Sequence, residues 1–280
     1  MDDELTALEG ERVGLMRLAY RMLGTVADAE DAVQETYVRW YRLTEDERAA
    51  IDNPGAWLTR VAGRVCLDML GSARARRERY VGEWLPEPIP EGSVLASAMP
   101  DPLDRITLDD SVSTALLVVL EALTPAERVA FVLHDVFAMP FAEIAEIVGR
   151  SPDACRQLAS TARRHVRERR AAAATRESHD ALVRAFAVAC ATGDLAALTA
   201  TLDPEVQLRS DGGGIRSAAL RPVLGADNVA RFVLGLMRMR PLAVITPTDT
   251  PDGLGFVIRE DGVVEGVMLL RVERDRKSVV

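Results

Sequence analysis

Five prolines, Pro86, Pro88, Pro90, Pro100 and Pro102, interrupt a chain whose flanks on both sides carry helical patterning. Each lacks a backbone N–H and clashes with the preceding helical turn, so no helix can run through the interval. Gly82 and Gly92 loosen it further. The helical segments on either side are therefore expected to be divided by a partly extended linker over residues 81–105. At 280 residues it has length for about two domains, or three small ones. Hydrophobic residues make up 48% but aromatics only 5%, so Leu, Val and Ala must fill the cores.

The formal net charge is -9, yet the charge is strongly segregated. Residues 156–170 hold six arginines against Glu168. Residues 60–79 hold six arginines against Asp68 and Glu78. Between them, residues 83–110 hold seven acids against Arg105. Residues 178–280 are nearly balanced, with 12 basic and 13 acidic side chains. A phosphate backbone responds to the local field rather than to the sum, so two basic stripes in an acidic chain remain compatible with nucleic-acid binding.

The stretch "FAEIAEIVGRSPDACRQLASTARRHVRERR" has the pattern of a helix-turn-helix. Phe141, Ile144, Ala145 and Val148 share one face, and Gly149 ends that helix. Ser151 is placed to cap the next helix and Pro152 fits its first position. Cys155, Ala159, Ala162 and Val166 recur at helical spacing and face inward. Arg156, Gln157, Ser160 and Thr161 then face outward, where Arg suits guanine and Gln suits adenine. Arg163, Arg164 and Arg167 follow, suited to phosphate. A solvated basic face on a bundle helix is the competing reading; turn, cap and face segregation together favour DNA.

Elsewhere, "ERVGLMRLAYRMLG" and "TVADAEDAVQETYVRWYRL" read as helices, and Asn53-Pro54 opens another with Leu58, Trp57, Val61 and Val65 on its buried side. Beyond a hinge near residues 171–177, helices are expected over 178–192 and 194–202, with another in "GADNVARFVLGLMR". Strands are expected in "EVQLRS", "LAVITPT", "GLGFVIRE" and "VVEGVMLLRVE", with an "EDG" hairpin turn. That order describes a small α+β domain with a curved sheet.

Cys66, Cys155 and Cys190 are scattered and show no metal or disulfide spacing. His134, His165 and His179 form no metal-binding pair, and no phosphate-binding glycine loop is present. No cofactor is expected. No apolar run reaches the ~18 residues needed to cross a bilayer, and the acidic start "MDDELTALEGE" lacks a signal peptide's character. A cytoplasmic protein is expected.

Two blocks resemble one family. "DAEDAVQETYVRWY" with "NPGAWLTRVAGRVCLDMLGSARARRERYVGEWLPEP" resembles region two of the extracytoplasmic-function (ECF) sigma factors of bacterial RNA polymerase. "LEALTPAERVAFVLHDVFAMPFAEIAEIVGRSPDACRQLASTARRHV" resembles their region four. "WLPEP" at 84–88 and "SDGGG" at 210–214 resemble signatures of the sigma-J-like type, which carries a SnoaL-like domain of cystatin-like α+β fold. Ile215 departs from the Lys that commonly follows the glycines, and no Asn-Pro-(Asp/Glu)-Lys-Leu motif accompanies "RDRKSVV".

The resemblance implies sigma region two over 1–80, the linker with WLPEP over 81–105, sigma region four over 106–171 and a SnoaL-like regulatory domain over 178–280. It implies core RNA polymerase and promoter DNA as partners, and leaves room for a small ligand in the last domain. Asp31, Gln34, Glu35 and Arg39 would meet the polymerase. Arg60, Arg64, Asp68, Arg74, Arg76 and Arg77 would engage the −10 element, and Arg156, Gln157, Ser160, Thr161, Arg163, Arg164 and Arg167 the −35 element. From the residues themselves, WLPEP is a proline-stiffened strip with Trp84 and Leu85 as apolar anchors, and Trp84, Leu85 and Pro86 are expected to dock on Asp211, Gly212, Gly213 and Gly214, where glycines let backbone approach closely. Two other classes compete: a DNA-binding regulator independent of polymerase, and an enzyme using Asp203, Asp211 or Glu265 as a general base. Asp211 as a simple turn-former, and no histidine beyond His179, weigh against the enzyme.

Overall fold

Helix α1 (Asp2–Leu23), α2 (Val26–Tyr41) and α4 (Pro54–Arg77) pack around one another, with the short α3 (Glu45–Ala49) between α2 and α4. The structure, a computed structural model, describes residues 2–77, 85, 114–171, 175–212, 218–250, 253–273 and 276–279. The linker prolines lie outside these residues. Local caps set the helix starts. Thr25 accepts from the Asp28 N–H, Thr44 and Glu47 form a reciprocal capping box, and Asn53 Oδ1 accepts from the Ala56 N–H at 3.0 Å. Leu58 and Val65 are buried, whereas Trp57 and Val61 are half-buried at the core's edge.

Helices α5 (Thr114–Glu121) and α6 (Pro125–Phe131) follow, the second opened by a Thr124–Glu127 capping box. A π-helical turn (Val132–Val136) leads to α7 (Phe141–Val148) and α8 (Pro152–Ala171). Gly149 closes α7 at φ 70°, the left-handed region where a Cβ is strained. Ser151 Oγ accepts from the Ala154 N–H at 3.2 Å and caps α8. Cys155, Ala159 and Ala162 are fully buried, as their spacing requires.

These helices form one unit, Met1–Arg79 with Pro86–Arg167, and share one hydrophobic core. Leu18, Met22, Leu58 and Cys66 from the first block join Leu133, Ile144, Ile147 and Ala159 from the second. Sequence periodicity gave no sign that the two blocks would pack on each other.

The second unit comprises Tyr80–Leu85 and Glu168–Val280. Helices α9 (Arg176–Thr192), α10 (Leu195–Thr201) and α11 (Ala226–Met239) accompany antiparallel strands. Strand β1 (Gln207–Leu208) pairs with β2 (Val223–Leu224). β3 (Val244–Thr250), β4 (Gly253–Glu260) and β5 (Val263–Met268) form a three-stranded meander. Asp261 and Gly262, both at positive φ, make the expected tight turn between β4 and β5. The expected single strand "VVEGVMLLRVE" is broken at Leu269. Its second part, β6 (Leu270–Glu273), turns back to pair with β7 (Arg276–Val279).

Helix α9 packs on the strands through a polar clamp. His179 Nε2 donates to the Leu270 carbonyl at 2.7 Å, and the Leu254 N–H donates to Asp180 at 2.9 Å. Phe186 meets Phe256 with ring centroids 5.9 Å apart. The domain is α+β with antiparallel strands, in the same class as the sequence indicated.

Candidate nucleic-acid interface

The helix-turn-helix presents a basic outer face. Arg156, Gln157, Ser160, Arg164 and Arg167 are exposed on α8, and Thr161 and Arg163 are half-buried. Two of the arginines are held by neighbours. Arg156 pairs with Asp153 and lies over the Phe141 ring, 5.4 Å from its centroid. Phe141 is itself stacked on His134 at 3.9 Å. Arg163 Nε donates to Asp135 at 2.7 Å. Phe141 was expected only on the apolar face of α7, and Asp135 was not singled out; neither contact with an arginine of α8 could be read from periodicity, since a partner on another element leaves no periodic signal.

On α4, Arg60, Arg64 and Asp68 follow at i, i+4 and i+8 and share one stripe. Arg64 Nε lies 3.7 Å from Asp68, while its Nη1 donates to the Ile147 carbonyl at 2.6 Å. Arg60 Nη1 lies 3.4 Å from Glu146. Arg74, Arg76 and Arg77 occupy the last turn of α4; their side chains fall outside the described residues. On α2, Asp31 and Gln34 are exposed, and Glu35 accepts from Arg39 Nε at 3.0 Å. Trp57 meets the buried Trp40 edge-on, with centroids 5.2 Å apart, which ties it to the core more than to a base.

Residues 11–76 match the family model for sigma-70 region 2, and residues 113–166 match that for sigma-70 region 4. The ECF RNA polymerase sigma factor SigJ of Mycobacterium tuberculosis (strain ATCC 25618 / H37Rv) is 45% identical over 84% of this chain and 73% of its own length. The chain belongs to the ECF sigma factors. The probable ECF sigma factor SigI of the same organism is 39% identical over 97% of this chain and 90% of its own. The crystal structure of M. tuberculosis SigJ superposes with a TM-score of 0.68 at 37% identity, covering 98% of this chain and 94% of that one.

As an ECF sigma factor, the protein is a non-enzymatic initiation factor that binds core RNA polymerase and directs it to promoter DNA. The carboxylates considered for catalysis have structural partners. Asp203 accepts from the Glu205 N–H at 2.8 Å, and Glu265 pairs with Arg240 at 3.5 Å. Asp211 Oδ2 accepts from the Leu85 N–H at 2.9 Å. All three cysteines are buried and free, and burial pushes the Cys66 thiol up to about 12 and Cys190 up to about 11, which makes both inert. No helix among the described residues is long and apolar enough to cross a membrane.

Proposed function

We propose that residues 178–280 are a SnoaL-like domain that regulates this sigma factor within its own chain, through a latch between the WLPEP segment and the DGGG loop. The observation that carries this reading is the hydrogen bond from the Leu85 N–H to the Asp211 carboxylate, formed across 126 residues of sequence. Pro86 biases the preceding residue toward extended backbone, which keeps the Leu85 amide out of any helical hydrogen bond. A backbone donor meeting a carboxylate is a charge-assisted bond, stronger than a neutral one. Nearby, Ser210 accepts from the Ala219 N–H at 2.9 Å and closes the loop on itself. Trp84 and Pro86, with Gly213 and Gly214, complete the proposed latch; they lie outside the described residues.

In this reading Arg156, Gln157, Ser160 and Thr161 read the −35 element, and Arg163, Arg164 and Arg167 hold its phosphates. Arg60, Arg64, Asp68, Arg74, Arg76 and Arg77 engage the −10 element, and Asp31, Gln34, Glu35 and Arg39 face the polymerase. The latch fixes where the linker leaves the domain, and so limits how far the two sigma regions can part.

Transcription in vitro with core polymerase tests the latch. Asp211→Ala and Trp84→Ala should each change transcript yield while leaving the folded regions intact. Crosslinks should join residues 84–88 to residues 211–215. Unchanged transcription in both variants, without such crosslinks, overturns the regulatory reading and leaves the promoter-binding assignments standing.

A further inference from the structure

His134 and Asp135 are successive residues of the π-helical turn, and each leads to an arginine on α8. Asp135 holds Arg163 directly. His134 acts through one ring more: its imidazole stacks on Phe141, with centroids 3.9 Å apart and planes 26° from parallel. Phe141, the first residue of α7, in turn carries the Arg156 guanidinium 5.4 Å from its ring centroid. Arg156 and Arg163 are seven residues apart, two helical turns, and so share one side of α8.

The base of this stack is fixed. His134 Nδ1 lies 2.9 Å from the Met139 carbonyl, and because a carbonyl only accepts, Nδ1 carries the proton. The Met139 N–H donates to the Leu133 carbonyl at 2.9 Å, so Met139 is bonded to the π-helical turn on both sides of its Cα. Between them the chain holds Ala138 at φ 53°, the left-handed region that a Cβ disfavours. Strained backbone and π-helical turns both collect at functional sites. Arg156 itself is loosely placed by comparison. Its side chain is 59% exposed, and its ion-pair partner Asp153, 89% exposed, sits on α8 itself. Such a pair holds a long side chain weakly. The Phe141 ring ties Arg156 to another element.

We propose that His134 and Phe141 are positioning residues that set base preference at the −35 element by holding the Arg156 guanidinium in one pose before DNA arrives. This rests on the assignment of Arg156 to a base edge. A planar guanidinium reads guanine only when its N–H groups meet O6 and N7 together. Once freed from the ring, Arg156 keeps its charge and still finds phosphate. Affinity for any duplex then survives while discrimination falls. A cation at an exposed aromatic face is biased toward that pose by about two- to fivefold, which sets the size of the effect.

The test uses the full chain assembled with core polymerase, on a promoter it transcribes whose −35 base pairs are substituted one at a time. Competition binding gives the preference at each position, and Arg156→Ala locates the base pair that Arg156 reads. Phe141→Leu keeps an apolar side chain without the ring face, and His134→Ala removes the layer stacked on it. Each should lower preference at that same base pair by about two- to fivefold and change the other positions by less than about twofold. Phe141→Tyr keeps the face and should retain the wild-type preference. In the free chain, the ring current of Phe141 should displace the Arg156 side-chain proton resonances, and Phe141→Leu should abolish that displacement. Arg156 resonances unmoved by Phe141→Leu overturn the proposal. So does wild-type preference in either Phe141→Leu or His134→Ala, or a uniform loss at every −35 position, since packing alone would give the latter; Arg156 then remains a base reader. An Arg156→Ala holoenzyme with wild-type preference at every position instead removes the assignment on which the proposal rests.

Discussion

Asp135 holds Arg163: the arginine's Nε donates to the carboxylate at 2.7 Å, joining α8, the second helix of the helix-turn-helix, to the π-helical turn two elements earlier. A DNA phosphate arriving at Arg163 must compete with that carboxylate. Asp135→Asn is expected to strengthen binding to duplexes of any sequence and to steepen the slope of log affinity against log salt by about 0.9. Arg163→Ala is expected to flatten it by a similar amount. Anisotropy titrations over a salt series read both. A slope unmoved by either substitution would show that Arg163 meets no phosphate.

Arg156, proposed above to read a base edge, is held by Asp153 and the Phe141 ring. Arg156→Ala is expected to cost about 1–3 kcal/mol on the specific −35 duplex and to relax preference at one base pair. Equal losses on specific and random duplexes would move Arg156 to the phosphate-binding group.

Arg128 is a buried cation that donates to both Met22 O and Glu121, the latter at 2.6 Å. Arg128→Met leaves a poorly solvated carboxylate and an unpaired carbonyl, with an expected loss of about 3–5 kcal/mol in urea denaturation. Adding Glu121→Leu should recover part of that loss, because both members of the pair are then gone. A double variant no more stable than the single one would show that Glu121 finds other compensation.

Asp180 ties α9 to β4. The Leu254 N–H, then His179 and Arg176, hold its carboxyl below the ordinary range. A depressed folded value adds stability that is present above the unfolded carboxyl pKa of about 3.9 and is lost as pH falls through the lower folded value. Asp180→Asn is therefore expected to raise hydrogen exchange along Arg176–Thr192 at neutral pH. The gap from wild type should close only in strong acid. A gap that is the same at every pH would mean that the carboxylate's charge contributes nothing.

Much of the site was legible locally. Gly149, Ser151 and Pro152 set the turn of the helix-turn-helix. The spacing of Cys155, Ala159 and Ala162 fixed which side of α8 is buried, and so which residues face outward. Asp261-Gly262 marked the β4–β5 hairpin. These features rest on capping, positive φ and helical period, interactions that span a few residues and therefore appear in the order of the chain.

Only the tertiary structure paired Arg64 with Ile147 O, Arg128 with Met22 O, and Arg163 with Asp135. It also broke the last expected strand at Leu269 and returned the chain as β7. A guanidinium or an amide can donate to any acceptor that packing brings within about 3 Å. Which acceptor that is depends on how helices far apart in sequence share a core. Local pattern therefore determined the elements and the exposed basic face, and long-range packing decided which acceptors the arginines meet.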